Sequence, residues 1–359
     1  MEPIDFSAPV YGIPQAEKER ELLLALNALT RFHAKHCPPY ARLLSSLGQG
    51  HSIAEKIVDV PFLPVELFKS HNIASVETSE VKINMTSSGT TGAVSKIAVD
   101  GDTALLQSKG LTATMVSILG QARRPMLIAD TPEVVRDPRL LTARGAGVLG
   151  MMRYGRNHVF ALNPDLTANH DAIAAFARAN SGQPSMIFGF TFMAWTALID
   201  AVGNAQYDLS GATLVHSGGW KKLQDRAVSN EVFRETMRVR HGITDIYNFY
   251  GMVEQMGTLH LEGPNGLLSP PRFSDIIIRD PRTLLPVEDG TPGIIQTLSL
   301  IPRSYPGHSL LTGDLGVIEA VDTGLDGRMG KVFRVLGRLP KAELRGCSDV
   351  YAIPNKKAA

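Results

Sequence analysis

Apolar and polar positions follow two different periods along this chain, and the change of period divides it. Through residues 17–36, Leu22, Leu23, Ala25, Leu26 and Leu29 recur close to the 3.6-residue period, which predicts an amphipathic helix. Pro38 and Pro39 end it, because their rings fix φ and remove backbone donors. A shorter helical piece, 40–47, stops at Gly48. From residue 81 onward, strand-like runs at 81–85, 96–99, 125–129, 185–188, 212–215 and 245–249 are interleaved with helical stretches at 103–119, 169–179, 192–202 and 223–240. That alternation predicts α/β layers with a largely parallel sheet. After Gly257 the runs shorten to 275–278, 293–300, 315–320 and 332–336, separated by Pro, Gly and Asp turns. This texture predicts an antiparallel or barrel-like section. The expected organisation is one large α/β domain over 1–336, with a β-rich, barrel-like part at 258–336, followed by a short arm at 337–359.

Composition narrows the classes. A chain of 359 residues with 44% hydrophobic content can bury a sizeable core. A net charge of +1 with both signs interspersed builds no field for nucleic acid or an anionic membrane. No apolar run reaches the ~20 residues of a membrane span, and residues 1–11 lack the basic flank and apolar core of a signal peptide. Cys37 and Cys347 make no disulfide framework, so a cytoplasmic location is the expectation.

Four segments carry candidate chemistry. Thr86-Ser87-Ser88-Gly89-Thr90-Thr91-Gly92-Ala93-Val94-Ser95-Lys96 lies between two strand-like runs. Its glycines let backbone N–H groups approach an anion, its hydroxyls add donors, and Lys96 adds a positive charge. It reads as a phosphate cradle, although it lacks the Gly-Lys-Ser/Thr ending of a P-loop and a plain hairpin loop has similar composition. In Asn248-Phe249-Tyr250-Gly251-Met252-Val253-Glu254, Tyr250 can stack on a base, Asn248 can bond its edge and Glu254 can hold Mg²⁺; the bland alternative is a core tyrosine and a solvated glutamate. In Leu311-Thr312-Gly313-Asp314, an aspartate in a tight turn can accept bonds from ribose hydroxyls, or simply serve the turn. Gly337-Arg338 can be a hinge with an anion-binding side chain.

Other features carry less. Gly145-Ala146-Gly147-Val148-Leu149-Gly150 matches a dinucleotide pattern but stands well beyond the nearest strand, so close packing explains its glycines better. His33, His36 and Cys37 lack a second ligand pair for zinc and are expected as partly exposed helix-end residues. Phe188, Phe190, Phe192 and Trp195 can line an acyl pocket, although aromatics in such a run are more often core.

The four segments, in this order, resemble the adenylate-forming superfamily of acyl-CoA synthetases, luciferase-like enzymes and peptide-synthetase adenylation domains. Pro61-Phe62-Leu63-Pro64-Val65-Glu66-Leu67-Phe68-Lys69 and His216-Ser217-Gly218-Gly219-Trp220-Lys221-Lys222 are similar to its acyl-protein synthetase (LuxE-type) branch. The resemblance implies the superfamily's large α/β domain, with its C-terminal domain reduced to an arm. It implies ATP and Mg²⁺ as cofactors and a carboxylic, by resemblance fatty, acid activated as acyl-AMP. Lys96 and the loop Thr86, Ser87, Ser88, Gly89, Thr90, Thr91 and Gly92 would meet the phosphates. Glu254 and Thr91 would hold the metal. Gly218 and Gly219 with Asn248, Tyr250 and Gly251 would contact the base, Asp314 the ribose, and Arg338 the hinge. The acyl group would pass to a cysteine thiol, with Cys347 the candidate because thiolates are strong nucleophiles and Lys341 and Arg345 are close in sequence. A reductase resembling acyl-CoA reductases would then be the protein partner; the alternatives are an acyl- or aryl-CoA ligase that releases the CoA thioester, and a non-catalytic nucleotide-binding protein that keeps the fold. Two departures stand out: Ser95 replaces the usual Pro before the loop lysine, and Ile97 the glycine after it.

Overall fold

The computed structural model describes residues 3–48, 53–86, 95–136, 143–220, 225–324 and 327–339. Their contacts divide into two compact units, one within residues 3–86, 95–121 and 247–339 and the other within 122–246.

In the first unit the long helix is Gln15–His36. Leu22, Leu26, Leu29 and His33 fall on its buried face, at spacings of three and four residues, and basic residues in the last turn complement the helix dipole. Leu22 and Leu26 pack with Ile57, Val60, Ile277 and Leu298. The expectation of exposed helix-end residues fails for His33 and Cys37, which are both fully buried. His33 bonds the Ser75 hydroxyl at 2.8 Å and stacks on His308 with ring centroids 5.0 Å apart. Their partners come from distant segments, so the burial leaves no local trace in the sequence. A second helix, Pro38–Ser46, begins on the two prolines, where a missing N–H costs nothing.

The β-rich section is antiparallel, as expected. In spatial order it runs Ser274–Arg279, Gly293–Ser299, Ser309–Val321, Lys331–Arg338, Leu268–Ser269, His260–Glu262 and the end of Asp245–Tyr250. Leu63–Pro64 adds in parallel to Ser309–Val321. That strand is much longer than the expected 315–320, and Asp314 lies inside it, not in a tight turn. Neighbours on both sides hold the segment extended: Leu311 pairs with Gln296 and Asp314 with Arg338. A register shift between Leu315 and Gly316 absorbs the glycine-rich irregularity as a bulge. Strands Ile83–Thr86 and Lys96–Val99 form a separate hairpin in which Thr86 pairs with Lys96. Helix Gly101–Leu119 follows, capped by the Asp100 carboxylate, which accepts from Thr103 N–H at 2.8 Å.

The second unit is the parallel part. Strands Gly155–Phe160, Arg124–Ile128, Ser185–Phe190 and Ala212–Ser217 pair in that order. Helices Ala143–Met152, His170–Asn180, Thr191–Trp195 and Asn230–His241 accompany them. The core contains Leu127, Ile187, Leu214, Phe176, Phe233 and Met237. Helix Ala143–Met152 and strand Gly155–Phe160 were not anticipated, because Gly145, Gly147 and Gly150 weaken the periodic signal. A Cβ on Gly147 would sit 2.9 Å from the Phe190 ring, so the packing explanation of these glycines holds there. Among the described residues no helix is long and apolar enough to cross a membrane.

Candidate active site

Three strands of the first unit bring Tyr250, Asp314 and Arg338 together. The Tyr250 hydroxyl donates to Asp314 Oδ2 at 2.8 Å, and Arg338 Nε donates to Asp314 Oδ1 at 3.1 Å. Burial, and then the Asp314 charge, push the Tyr250 hydroxyl well above its ordinary value, so it stays protonated and acts as a donor. The Tyr250 ring is held edge-on to His260 at 5.9 Å and Phe333 at 6.3 Å. An ionised carboxylate offers about four lone-pair sites, and these two bonds use only part of them. The Asp314 and Arg338 side chains retain 16% and 36% exposure, so a ligand's hydroxyls can reach the carboxylate from solvent.

Glu254 sits in the short turn Val253–Gln255 and is buried, which rules out the solvated alternative. The turn is anchored from behind. Tyr305 donates its hydroxyl proton to the Glu254 carbonyl at 2.9 Å, and Gln255 Nε2 donates to the Gly307 carbonyl at 2.8 Å. Gly307 has to be glycine, since a Cβ there would lie 2.9 Å from the Glu254 carbonyl oxygen and closer still to the Tyr305 ring. Burial raises the Glu254 carboxyl above its ordinary range; the Ser95 hydroxyl and the Lys69 charge draw it back, and Glu66 pushes it up. Ser95 is fully buried and immediately precedes Lys96, which is exposed at the foot of the hairpin opposite Thr86. Among the described residues no group of three or more His, Cys, Asp or Glu could hold a metal. One carboxylate still fits Mg²⁺, which characteristically takes one or two carboxylates and completes its shell with phosphate oxygens and water.

Asn248 donates its backbone N–H to Glu262 Oε2 at 3.2 Å. Its side-chain Oδ1 is buried without a hydrogen-bond partner among the described residues, an unmet acceptor of the kind an adenine amine satisfies. Gly251 is exposed beside it. In the second unit, Gly218 and Gly219 are exposed just after the strand Ala212–Ser217, with Gly218 at φ 81°. Ser87, Ser88, Gly89, Thr90, Thr91, Gly92 and Cys347 lie outside the described residues.

Sequence reasoning missed Ser95 as a partner of Glu254, and missed Glu66 and Lys69 as its charged neighbours. The signal was there: Ser95 is one of the departures from the superfamily loop, and Glu66 and Lys69 belong to the segment that carried the branch resemblance.

The family described as "Acyl-protein synthetase, LuxE" matches residues 6–354. The long-chain-fatty-acid–luciferin-component ligase of Vibrio harveyi is 24% identical over 94% of this chain and 90% of its own length. The ligase of the same name from Aliivibrio fischeri is 24% identical over 81% of this chain and 78% of its own. Among solved structures, a 2-hydroxyisobutyryl-CoA ligase in an open conformation, complexed with 2-HIB-AMP and CoA, superposes with a TM-score of 0.67 at 17% identity. That match covers 94% of this chain and 79% of the ligase, and shows a shared fold. With the family match spanning nearly the whole chain, this protein belongs to the acyl-protein synthetase family of LuxE type, a family of ligases.

Proposed function

We propose that this enzyme activates a carboxylic acid, by kinship a fatty acid, with ATP to form an acyl-adenylate, and that a cysteine thiol then takes the acyl group. The observation that carries the reading is the Asp314 carboxylate, fixed by Arg338 from the adjacent strand and by Tyr250 from a strand farther along the sheet, yet left with spare acceptor capacity. That arrangement suits a vicinal diol such as a ribose. Asn248 Oδ1 offers an acceptor to the base, and Lys96 offers a cation to the phosphates. Thr86 and the loop 87–92 remain proposed phosphate contacts, and Gly218 and Gly219 proposed base contacts, on the sequence resemblance.

In the chemical step a carboxylate oxygen of the acid attacks the α-phosphorus of ATP. A new P–O bond forms, the bond to the bridging oxygen breaks, and pyrophosphate leaves with its electron pair. Little covalent work falls to the protein, so positioning and charge dominate. Lys96 would stabilise the negative charge that builds on the phosphates. Glu254 would hold Mg²⁺, with Thr91 as a second proposed ligand; the ion, when bound, offsets phosphate charge. The Tyr305-anchored turn would keep the Glu254 carboxylate aimed, and the Ser95 hydroxyl would favour its ionised form.

In the second step we place the Cys347 thiolate as attacking group at the acyl carbon, with AMP leaving and a protein thioester formed, for delivery to a partner reductase. Capture by CoA is the competing outcome. The test of the whole reading is acid-dependent exchange of labelled pyrophosphate into ATP, run over carboxylic acids of graded chain length. No exchange with any acid would remove the proposal, and label on added CoA in place of protein would reassign the acceptor.

A further inference from the structure

One buried polar atom of the second unit has no task in the scheme above. His216, in the strand Ala212–Ser217, is 2% exposed. Its Nδ1 shares a 2.9 Å hydrogen bond with the Thr191 hydroxyl, and its ring lies on Phe233 with centroids 4.5 Å apart. Its Nε2 is buried and has no hydrogen-bond partner among the described residues. Buried polar side-chain atoms nearly always have partners, so an orphan calls for a ligand or an ordered water. Burial, with Arg234 nearby, holds the imidazole neutral with a value of about 3, so the ring carries a single N–H.

The surroundings select the ligand. Phe190 and Ser217 are paired residues at the carboxyl ends of two parallel strands, and Thr191 and His216 adjoin them. Open α/β sheets bind ligands beyond such ends. Aromatic contacts continue from Phe233 to Trp195 at 5.9 Å and from Trp195 to Trp220 at 5.4 Å. Both tryptophans are half-buried, and Trp220 follows the exposed Gly218 and Gly219. The His216 ring therefore sits in a run of aromatic contacts whose far members, Trp195 and Trp220, are half-buried. Of the two tautomers the 2.9 Å contact allows, the one in which Thr191 Oγ1 donates to Nδ1 puts the ring proton on Nε2, where a ligand would meet it. The positive Arg234, whose Nη1 donates to the Ile246 carbonyl at 2.6 Å, favours an anion at that donor over a neutral acceptor.

We infer that His216 Nε2–H binds the carboxylate of the acid substrate, with Thr191 fixing the tautomer and the Trp195–Trp220 pair flanking the apolar part of the acid. The identity of the ligand rests on the acid-activation reading. The test need not, because Trp195 and Trp220 are the chain's two tryptophans and report on this locus without turnover. Intrinsic fluorescence would be titrated with octanoate, phenylacetate and 2-hydroxyisobutyrate, each beside its neutral primary amide, on the full chain without ATP. At least one acid should bind tenfold or more tighter than its amide. In His216→Phe, which keeps the ring and its stacking on Phe233, that preference should fall to twofold or less, with amide binding unchanged. Thr191→Val should weaken acid binding three- to tenfold, and gives a second measurement should His216→Phe fail to fold. Equal acid binding by the parent and the folded variants, or no acid preferred over its amide, would overturn the assignment. Pyrophosphate exchange measured alongside separates the two claims. Exchange with His216-independent acid binding sinks only this one, and His216-dependent binding without exchange sinks only the adenylation reading.

Discussion

Tyr250→Phe isolates one hydroxyl. The phenyl ring retains the edge contacts to His260 and Phe333, so packing is conserved and the loss is confined to the hydroxyl's 2.8 Å bond to Asp314 and its contact with the Thr312 hydroxyl. A hydrogen bond to a charged group contributes about 1.5–3 kcal/mol. Asp314 keeps 16% side-chain exposure, so water replaces part of the loss and we expect a deficit of about 1–2 kcal/mol. If Tyr250 serves to hold Asp314 ready for a ribose, that deficit appears as a rise of about 5–30-fold in the KM for ATP. The assay is acid-dependent pyrophosphate exchange with ATP and, in parallel, with 2′,3′-dideoxy-ATP. The dideoxy nucleotide lacks the hydroxyls, so it should bind the parent weakly and be nearly indifferent to Tyr250→Phe, closing a cycle with a large coupling. An equal effect on both nucleotides, or none on either, would refute the ribose assignment.

Other outcomes follow from the same geometry. Lys96→Ala should slow pyrophosphate exchange by about 10²–10³-fold, the typical loss for one preorganised charge contact, while its melting temperature stays close to the parent's because Lys96 is exposed; an unchanged exchange rate would remove Lys96 from the site. Cys347→Ser should still exchange pyrophosphate but carry no hydroxylamine-sensitive acyl label, and label persisting on that variant would contradict the acceptor role. Burial holds His216, His260 and His308 at about 3, against an ordinary 6.5. They are neutral when folded and take up protons when unfolded, so their stabilisation is complete above pH ~6.5 and is lost as pH falls towards the folded values. At pH ~5 each forfeits about 2 kcal/mol, and the three together rival a typical total stability of about 5–15 kcal/mol. Circular dichroism should therefore show unfolding between pH ~6.5 and ~4.5, and equal melting temperatures at pH 7 and pH 5 would count against it.

Much of this was legible in the sequence because its cause is local. The α/β alternation and the antiparallel section follow from periodicity, whereas the placing of Tyr250 and Asp314 in one site, 64 residues apart in sequence, came from the family resemblance. What failed was set by distant neighbours. Leu311-Thr312-Gly313-Asp314 has turn composition, but hydrogen-bonded strands on both sides keep it extended. His33 looks like an ordinary polar helix end until Ser75 and His308 arrive to satisfy and cover it. Ser95 read as a missing proline, and the pull of its hydroxyl on the buried Glu254 carboxyl arises only in the folded chain. The orphaned nitrogens and oxygens that mark candidate ligand contacts, His216 Nε2 and Asn248 Oδ1, have no sequence signature at all.

The pairing of Asp314 with Arg338 across two strands reaches beyond catalysis. Side chains alternate faces with a period of two, so a slip of Lys331–Arg338 by one residue would turn Arg338 away from Asp314 while leaving a compact, well-bonded sheet. The bulge at Leu315 and Gly316 opposes such a slip by giving the two strands a single matching frame. If Asp314 holds the ribose as proposed, nucleotide affinity becomes a census of correctly threaded molecules: a misthreaded chain would be compact and yet fail this measure. ATP present during refolding would enrich the threaded form by mass action, so recovered yield should climb with nucleotide concentration and level off near saturation.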